Sequence, residues 1–275
     1  MRSASGPQGT VSLESSGRLR VLFRVEGRRV VRLRTFSEEC ALDAGGLTLA
    51  WLDGVRPAES LRLLATYVGA DAEDSASGRL SESAIAAIAF HDDAGADALL
   101  EAFTAPDRPD RLRKKAAFWM GNTRGRRGFE TLKRLVKQDQ SESFRSDVVF
   151  ALTQSRQPEA DDVLIDTARH DSSSHVRGQA LFWLGQKAGR KASAAITGAI
   201  ENDPETEVKK KAVFALSQLP RDEGIPLLIR TARDNRNPAV RKQAMFWLGQ
   251  SGDPRALAFF EEVLGPRPRS AGPSR

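Results

Sequence analysis

With a single cysteine, Cys40, the chain has no internal disulfide framework and no thiolate zinc cluster to draw on. A lone free cysteine is expected inside the fold as an inert thiol; the alternative is a pairing partner upstream of Met1. Histidine is nearly as scarce. His91, His170 and His175 are the whole supply, and although His170-Asp171 and His175 share one stretch, a third metal ligand is missing there. The sequence has no P-loop, no dinucleotide glycine fingerprint and no nucleophile turn. Carboxylate pairs such as Asp161-Asp162 and Glu261-Glu262 read as solvated helix faces. No apolar run approaches the roughly 18 residues needed to cross a bilayer, and residues 1–10 lack the apolar core of a signal peptide. Together these absences lead to the expectation of a non-enzymatic protein without cofactor, metal or membrane partner. It is expected in the cytoplasm, or in the periplasm or medium if a leader precedes this sequence.

Uniform charge is also absent. The net +6 comes from the two ends: residues 1–36 carry eight Arg against two Glu, and residues 265–275 carry three Arg. What lies between is slightly acidic, so the chain as a whole is not a polyanion-binding surface. Locally, residues 71–107 hold nine carboxylates and one Arg, whereas residues 108–137 hold eleven bases and two acids. Pairing between these two blocks is the expected outcome; otherwise Arg124, Arg126, Arg127, Lys133, Arg134 and Lys137 form a local anion site.

What the chain has in abundance is repetition. Phe118, Phe150, Phe182, Phe214 and Phe246 stand 32 residues apart, in step with the bases Arg113, Arg145, Arg177, Lys209 and Arg241 and with the amides Asn122, Gln154, Gln186, Gln218 and Gln250. A second apolar ladder runs through Leu132, Leu164, Ile196, Leu228 and Phe260. Self-similarity of this length means stacked supersecondary units. In the last unit, Ala244, Trp247, Leu248 and Ser251 share an arc with Val240 at about 100° per residue. Gly252-Asp253-Pro254 breaks that helix, and Ala256, Leu257, Phe260, Val263 and Leu264 stripe a second one. The Phe ladder lies roughly 160° from the centre of the stripe, which allows either stacking between first helices or an exposed ridge. Trp119, Trp183 and Trp247 alternate with Ala151 and Ala215, suggesting a two-unit duplication with large and small residues interlocking in the core.

The run from Val240-Arg241-Lys242-Gln243-Ala244 to Asp253-Pro254-Arg255-Ala256 resembles the HEAT-repeat family, in the short form also found in bacterial bilin-lyase-like proteins. The resemblance implies an all-α solenoid of antiparallel helix pairs over residues 81–264. A degenerate unit at about 81–103, with Ala86 in place of Phe, precedes five clear units starting near Asp110, Glu142, Ser174, Thr206 and Pro238. It also implies that the recurring base ladders with acids of the preceding loop, here Asp139, Asp171 and Asp203. In this family the second helices line the concave side. Their projecting positions map to Thr131, Val163, Ala195, Leu227 and Phe259, with Arg134, Asp166, Gly198, Arg230 and Glu262 one turn on.

Apolar anchors beside alternating charge suit a partner helix or extended peptide better than phosphates or a small-molecule substrate. The sequence therefore predicts a protein-interaction scaffold. Two alternatives remain. One is nucleic-acid or other polyanion binding through the basic hairpin and the second repeat; the other is an enzyme of the hydroxylase or bilin-lyase type, disfavoured because no His-Glu dyad occurs. Outside the repeats, residues 1–9 are expected to be disordered. Residues 10–56 read as a strand appendage and connector, with a hairpin whose arginines (Arg18, Arg20, Arg24, Arg28, Arg32 and Arg34) oppose an apolar face extending through Val31 and Leu33. Residues 47–51 suggest a third strand, 57–70 a capping helix, 71–80 a polar break and 265–275 a disordered tail.

Overall fold

The computed structural model describes residues 18–69, 75–187 and 190–265. The expectations for 1–17, for 70–74 and for 266–275 fall outside the described residues. The chain divides into two compact units, 1–119 and 120–275.

In the first unit, β1 (Leu19–Glu26) and β2 (Arg29–Ser37) form an antiparallel hairpin. Gly27 and Arg28 both have positive φ, 52° and 64°, the backbone of a two-residue turn that matches strand twist. Register pairs Phe23 with Leu33 but Val25 with Val30, so a bulge leaves Val31 without an opposite residue. Val31 is consequently exposed rather than part of the apolar face, and only Leu33 is fully buried. β2 packs on α2 (Ser75–Ala89), which with α3 (Ala94–Phe103) makes the first helix pair. α2 begins ahead of the expected start near 81. α1 (Pro57–Ala65) lies on both, burying Leu61 and Leu64. His91 joins the end of α2 to α1 through Ser60 Oγ at 2.9 Å.

Two further expectations fail in this unit. Residues 47–51 form no strand, because Leu47, Leu49 and Trp51 have neither a paired neighbour nor a buried face; Trp51 instead lies under the Arg20 guanidinium at 5.3 Å. Cys40 is exposed, not interior, since it sits just after the turn that ends β2.

Five first helices begin where the ladder places them: α4 (Asp110–Thr123), α6 (Glu142–Thr153), α8 (Ser174–Lys187), α10 (Thr206–Gln218) and α12 (Pro238–Ser251). Each is followed by a second helix: α5 (Gly125–Gln138), α7 (Ala160–His170), α9 (Arg190–Asn202), α11 (Arg221–Asp234) and α13 (Pro254–Leu264). Within the second unit the first helices stack in sequence, α6 on α8, α8 on α10 and α10 on α12. The core between columns is aliphatic, with Leu132, Leu152, Leu164, Leu184, Ile196 and Leu216 essentially inaccessible; each such burial contributes roughly 1.5–3 kcal/mol.

Phe150, Phe182 and Phe214 of the ladder are packed between repeats, and their contacts alternate, whereas Phe246 is exposed. Phe150 lies against Trp183 at 5.0 Å and Phe214 against Trp247 at 4.9 Å, whereas Phe182 stacks on Phe214 at 5.9 Å and 11°. The tryptophans are therefore half-buried members of the aromatic seam; they do not interlock with alanine in the core. Ala151 and Ala215, in contrast, are fully buried, and they meet glycine. A Cβ on Gly185 would stand 2.8 Å from the Ala215 carbonyl, and Gly121 is tighter still against Ala151. At the same position the intervening units carry Thr153 and Ser217, whose hydroxyls bond back to their own helices. Two interfaces thus alternate: a close one, Gly against Ala, and a wider one in which Phe meets the next Trp.

A second interlock joins the loops. Arg145 Nη1 donates to the carbonyl of Asp139 at 3.0 Å, while its Nε and Nη2 take both Asp171 oxygens at 2.9 and 2.8 Å. Arg177 repeats this with the Asp171 carbonyl and the Asp203 carboxylate, at 2.9, 2.8 and 3.1 Å. The carboxylate comes from the following loop, 26 residues on; the preceding loop supplies a carbonyl, not the expected acid. Asp171 and Asp203 also accept from the backbone N–H two residues later, and their hydrogen bonds raise the pKa of each arginine above its ordinary value.

Gly185→Ala should destabilise the protein by about 1–2 kcal/mol in urea denaturation, overpacking outweighing the gain in helix propensity. Gly249→Ala, where a Cβ would meet nothing within 4 Å, should be neutral or stabilising by up to about 1 kcal/mol. Asp171→Ala should cost about 3 kcal/mol in urea, since it strands the largely buried Arg145 fork. Asp171→Asn should cost less, because an oxygen for Ser173 N–H is retained.

Candidate functional site

The second helices carry the predicted interaction surface, and burial separates its two rows. In the apolar row Val163, Ala195 and Phe259 are buried at 6%, 1% and 3% exposure, while Thr131 and Leu227 are half-buried. Three of the five are thus core residues rather than projecting anchors. The positions carried over from the family resemblance miss this because α7, α9 and α13 bury a stripe wide enough to include the position beside Leu164, Ile196 and Phe260. The other row does reach the surface: Arg134, Arg230 and Glu262 are exposed, and Asp166 and Gly198 are half-exposed.

Asp166, Arg230 and Glu262 of this row, with other charged residues beside it, are joined in pairs from one second helix to the next. Lys137 bonds Asp166 at 2.7 Å and Lys191 bonds Asp162 at 2.9 Å; Arg230 stands 3.7 Å from Glu201, and Arg233 meets Glu262 at 2.7 Å. Every pair spans 29 residues, one repeat less about one helical turn, which is where the side chain of the next helix comes alongside. Lys191, Glu201 and Arg233 were not singled out from sequence, and Lys137 and Asp162 were read there as a base of the alternative anion site and a solvated acid, although opposite charges at that interval are readable. The Lys137 hydrogen bond, and then that from His170, hold the Asp166 carboxyl below its ordinary pKa.

An open cleft lies where α5 and α7 meet their loops, lined by Lys137, Gln140, Arg145, Asp166, His170 and Asp171 among others. His170 Nδ1 is 2.9 Å from Asp166, and Asp171 is already engaged by Arg145. Among the described residues no group of three His, Cys, Asp or Glu side chains is placed to hold a metal ion, and no helix is long and apolar enough to cross a membrane.

Bases of the block 108–137 are paired with carboxylates within each unit. In the first unit Arg111 and Lys115 converge on Glu82 at 2.9 and 3.4 Å, the expected pairing between blocks. In the second unit the pairing runs forward instead: Arg126 bonds Glu130 at 2.9 Å and also Glu159 at 2.5 Å, and Lys137 takes Asp166. On the hairpin, Arg18, Arg28, Arg32 and Arg34 are exposed, as is Arg24, which bonds Glu26 at 2.7 Å. Arg20, half-buried over Trp51, is not part of that exposed face.

The family model for HEAT repeats matches residues 96–185 and 193–270, more than half of the chain. Comparison with curated proteins returns no match. Among solved structures, human deoxyhypusine hydroxylase in complex with glycerol is 16% identical with a TM-score of 0.32, covering 78% of this chain and 92% of its own. YibA of Escherichia coli is 22% identical with a TM-score of 0.42, covering 67% and 68%. The CpcE–CpcF complex of phycocyanin lyase from Nostoc sp. is 16% identical with a TM-score of 0.35, covering 83% and 87%. With helix pairs in register with the 32-residue ladder and the family model matching both halves of the repeat region, the chain belongs to the HEAT-repeat family.

Proposed function

We propose that the protein is a non-enzymatic scaffold that binds a helix or extended peptide of another protein along the second-helix face. The observation that carries this reading is the ladder of ion pairs at 29-residue spacing. Each cation there is matched by a carboxylate of the adjacent helix, leaving a mosaic of both signs. Such a surface offers no continuous positive track for phosphates, whose binding draws on accumulated Lys and Arg. It does suit a peptide bearing both charges, because exposed pairs are worth only about 0–1 kcal/mol and exchange partners readily. Leu227, half-buried beside exposed Arg230, supplies an apolar contact amid this charge; Phe259 is too deep to do so.

The test is affinity capture with the full chain, wild type against Leu227→Asp plus Arg230→Glu, with bound proteins identified by mass spectrometry. Loss of a specific partner from the double variant, whose circular dichroism should match the wild type, is the expected result. An unchanged set of partners excludes this face. Alongside it, a 20-base-pair DNA duplex should show no binding at 150 mM salt; tight binding with a steep salt dependence would replace the scaffold reading by a polyanion one.

A further inference from the structure

The segments Gln179-Ala180-Leu181-Phe182-Trp183-Leu184-Gly185-Gln186 of α8 and Gln243-Ala244-Met245-Phe246-Trp247-Leu248-Gly249-Gln250 of α12 differ at one residue in eight. In α8 this surface is covered by α10. Phe182 stacks on Phe214, Gly185 admits the Ala215 backbone, Gln186 bonds Gln218 at 3.3 Å, and Arg177 grips Asp203. In α12 the same surface is open. Phe246 is 53% exposed and a Cβ on Gly249 would meet nothing within 4 Å. Arg241 Nη1 holds the carbonyls of Asn235 and Arg236 at 2.8 and 3.2 Å, as its counterparts hold theirs, but its Nε and Nη2 have no carboxylate among the described residues.

The segment that follows does not continue the pattern. At the ladder's acid position, 26 residues after Arg241, stands Arg267, and Pro273 falls within the first turns of any next first helix. A second copy meeting this face with its own α12 would bring Arg241 no carboxylate from that helix, which contains neither Asp nor Glu. One difference from α8 defines the missing occupant further: where Gly178 receives the stem of Lys211, α12 carries exposed Lys242. The complement must therefore be more acidic than α10.

We infer that the open face of α12 is a docking site for an α-helical hairpin of another polypeptide. That hairpin carries a loop carboxylate three residues ahead of its first helix for Arg241, an acidic residue opposite Lys242, and a Phe-Ala pair that stacks on Phe246 and enters the notch at Gly249. The contact repeats the close interface between α8 and α10, and it is independent of the second-helix face.

The probe is residues 203–236 of this protein with Lys211→Glu, which supplies all these groups. It is used as a fluorescently labelled hairpin added to the full chain and, so that folding of the free hairpin is not limiting, joined after residue 266, where Asp203 falls in register. Amide exchange across α12 should slow at least tenfold in the joined form, and Arg241→Glu should remove that protection. In fluorescence anisotropy the free hairpin should bind saturably and weaken at least tenfold against Gly249→Leu. Asp203→Arg in the hairpin should restore binding to Arg241→Glu. Unchanged α12 exchange in the joined form overturns the inference. So does sedimentation of the unmodified chain as a dimer that Gly249→Leu converts to monomer, which would give the face to a second copy.

Discussion

One guanidinium holding two loops is the constraint on which the stacking of the second unit depends. Arg145 and Arg177 each fix their own preceding loop through a carbonyl and the next loop through a bidentate carboxylate. The planar fork of arginine makes this possible, because its donors point in fixed and different directions. An inserted residue on either side would carry the aspartate away by more than a hydrogen-bond length, so the strict 32-residue interval is a geometric requirement of the clamp. Lysine cannot serve two loops in this way. Lys209 reaches only the Glu201 carbonyl at 3.0 Å, and the loops on either side of α10 are joined instead by a neutral bond from Asn237 to Thr206 at 2.9 Å.

Superimposed on that interval is a period of two repeats. Gly121 and Gly185 let the backbones of Ala151 and Ala215 approach below ordinary side-chain contact. Thr153 and Ser217 hold their neighbours farther off, and the added space is filled by Trp183 and Trp247 lying across the preceding Phe. Close packing with small residues and wider packing with aromatic contacts both exclude water, the second adding roughly 0.5–1.5 kcal/mol for each aromatic pair. Neither kind of face fits its own kind: a Trp brought against Gly185 would collide with the backbone, and Ala brought against Phe150 would leave a void. Alternation therefore sets the order in which the units stack.

Much of this was legible because one short interval governs it. The Phe and base ladders placed all five first-helix starts at the observed residues, Asp110 to Pro238. What a periodic reading could not supply was direction and depth. The family resemblance assigned the arginine to the acid of the preceding loop, six positions away, yet the carboxylate it grips lies 26 residues on. The resemblance also placed Val163, Ala195 and Phe259 on the surface, because a family position carries over the angle around the helix but not the width of the buried stripe. In the hairpin, strict alternation passed through Val31, and the bulge at Arg24/Val25 shifts the phase there. Apolar alternation at 47–51 had no neighbouring edge to pair with, so composition alone could not make it a strand.

The two candidate surfaces differ in a way that follows from how repeats stack. Along the second helices each new unit brings the partner for the charge before it, so that face neutralises itself as the array grows, and what remains for recognition is its mosaic of both signs with Leu227 among them. Across the stacking direction the logic is reversed. A Gly-type unit such as α8 presents a clamp, a notch and an aromatic ring to its successor, and in α8 these groups are satisfied by the Ala-type α10. α12 presents all three, and Lys242 adds a positive charge that α8 lacks. A face built for an Ala-type successor and carrying more positive charge than its internal copy is specific in shape and in sign, whereas the second-helix face is specific only in the spacing of its charges.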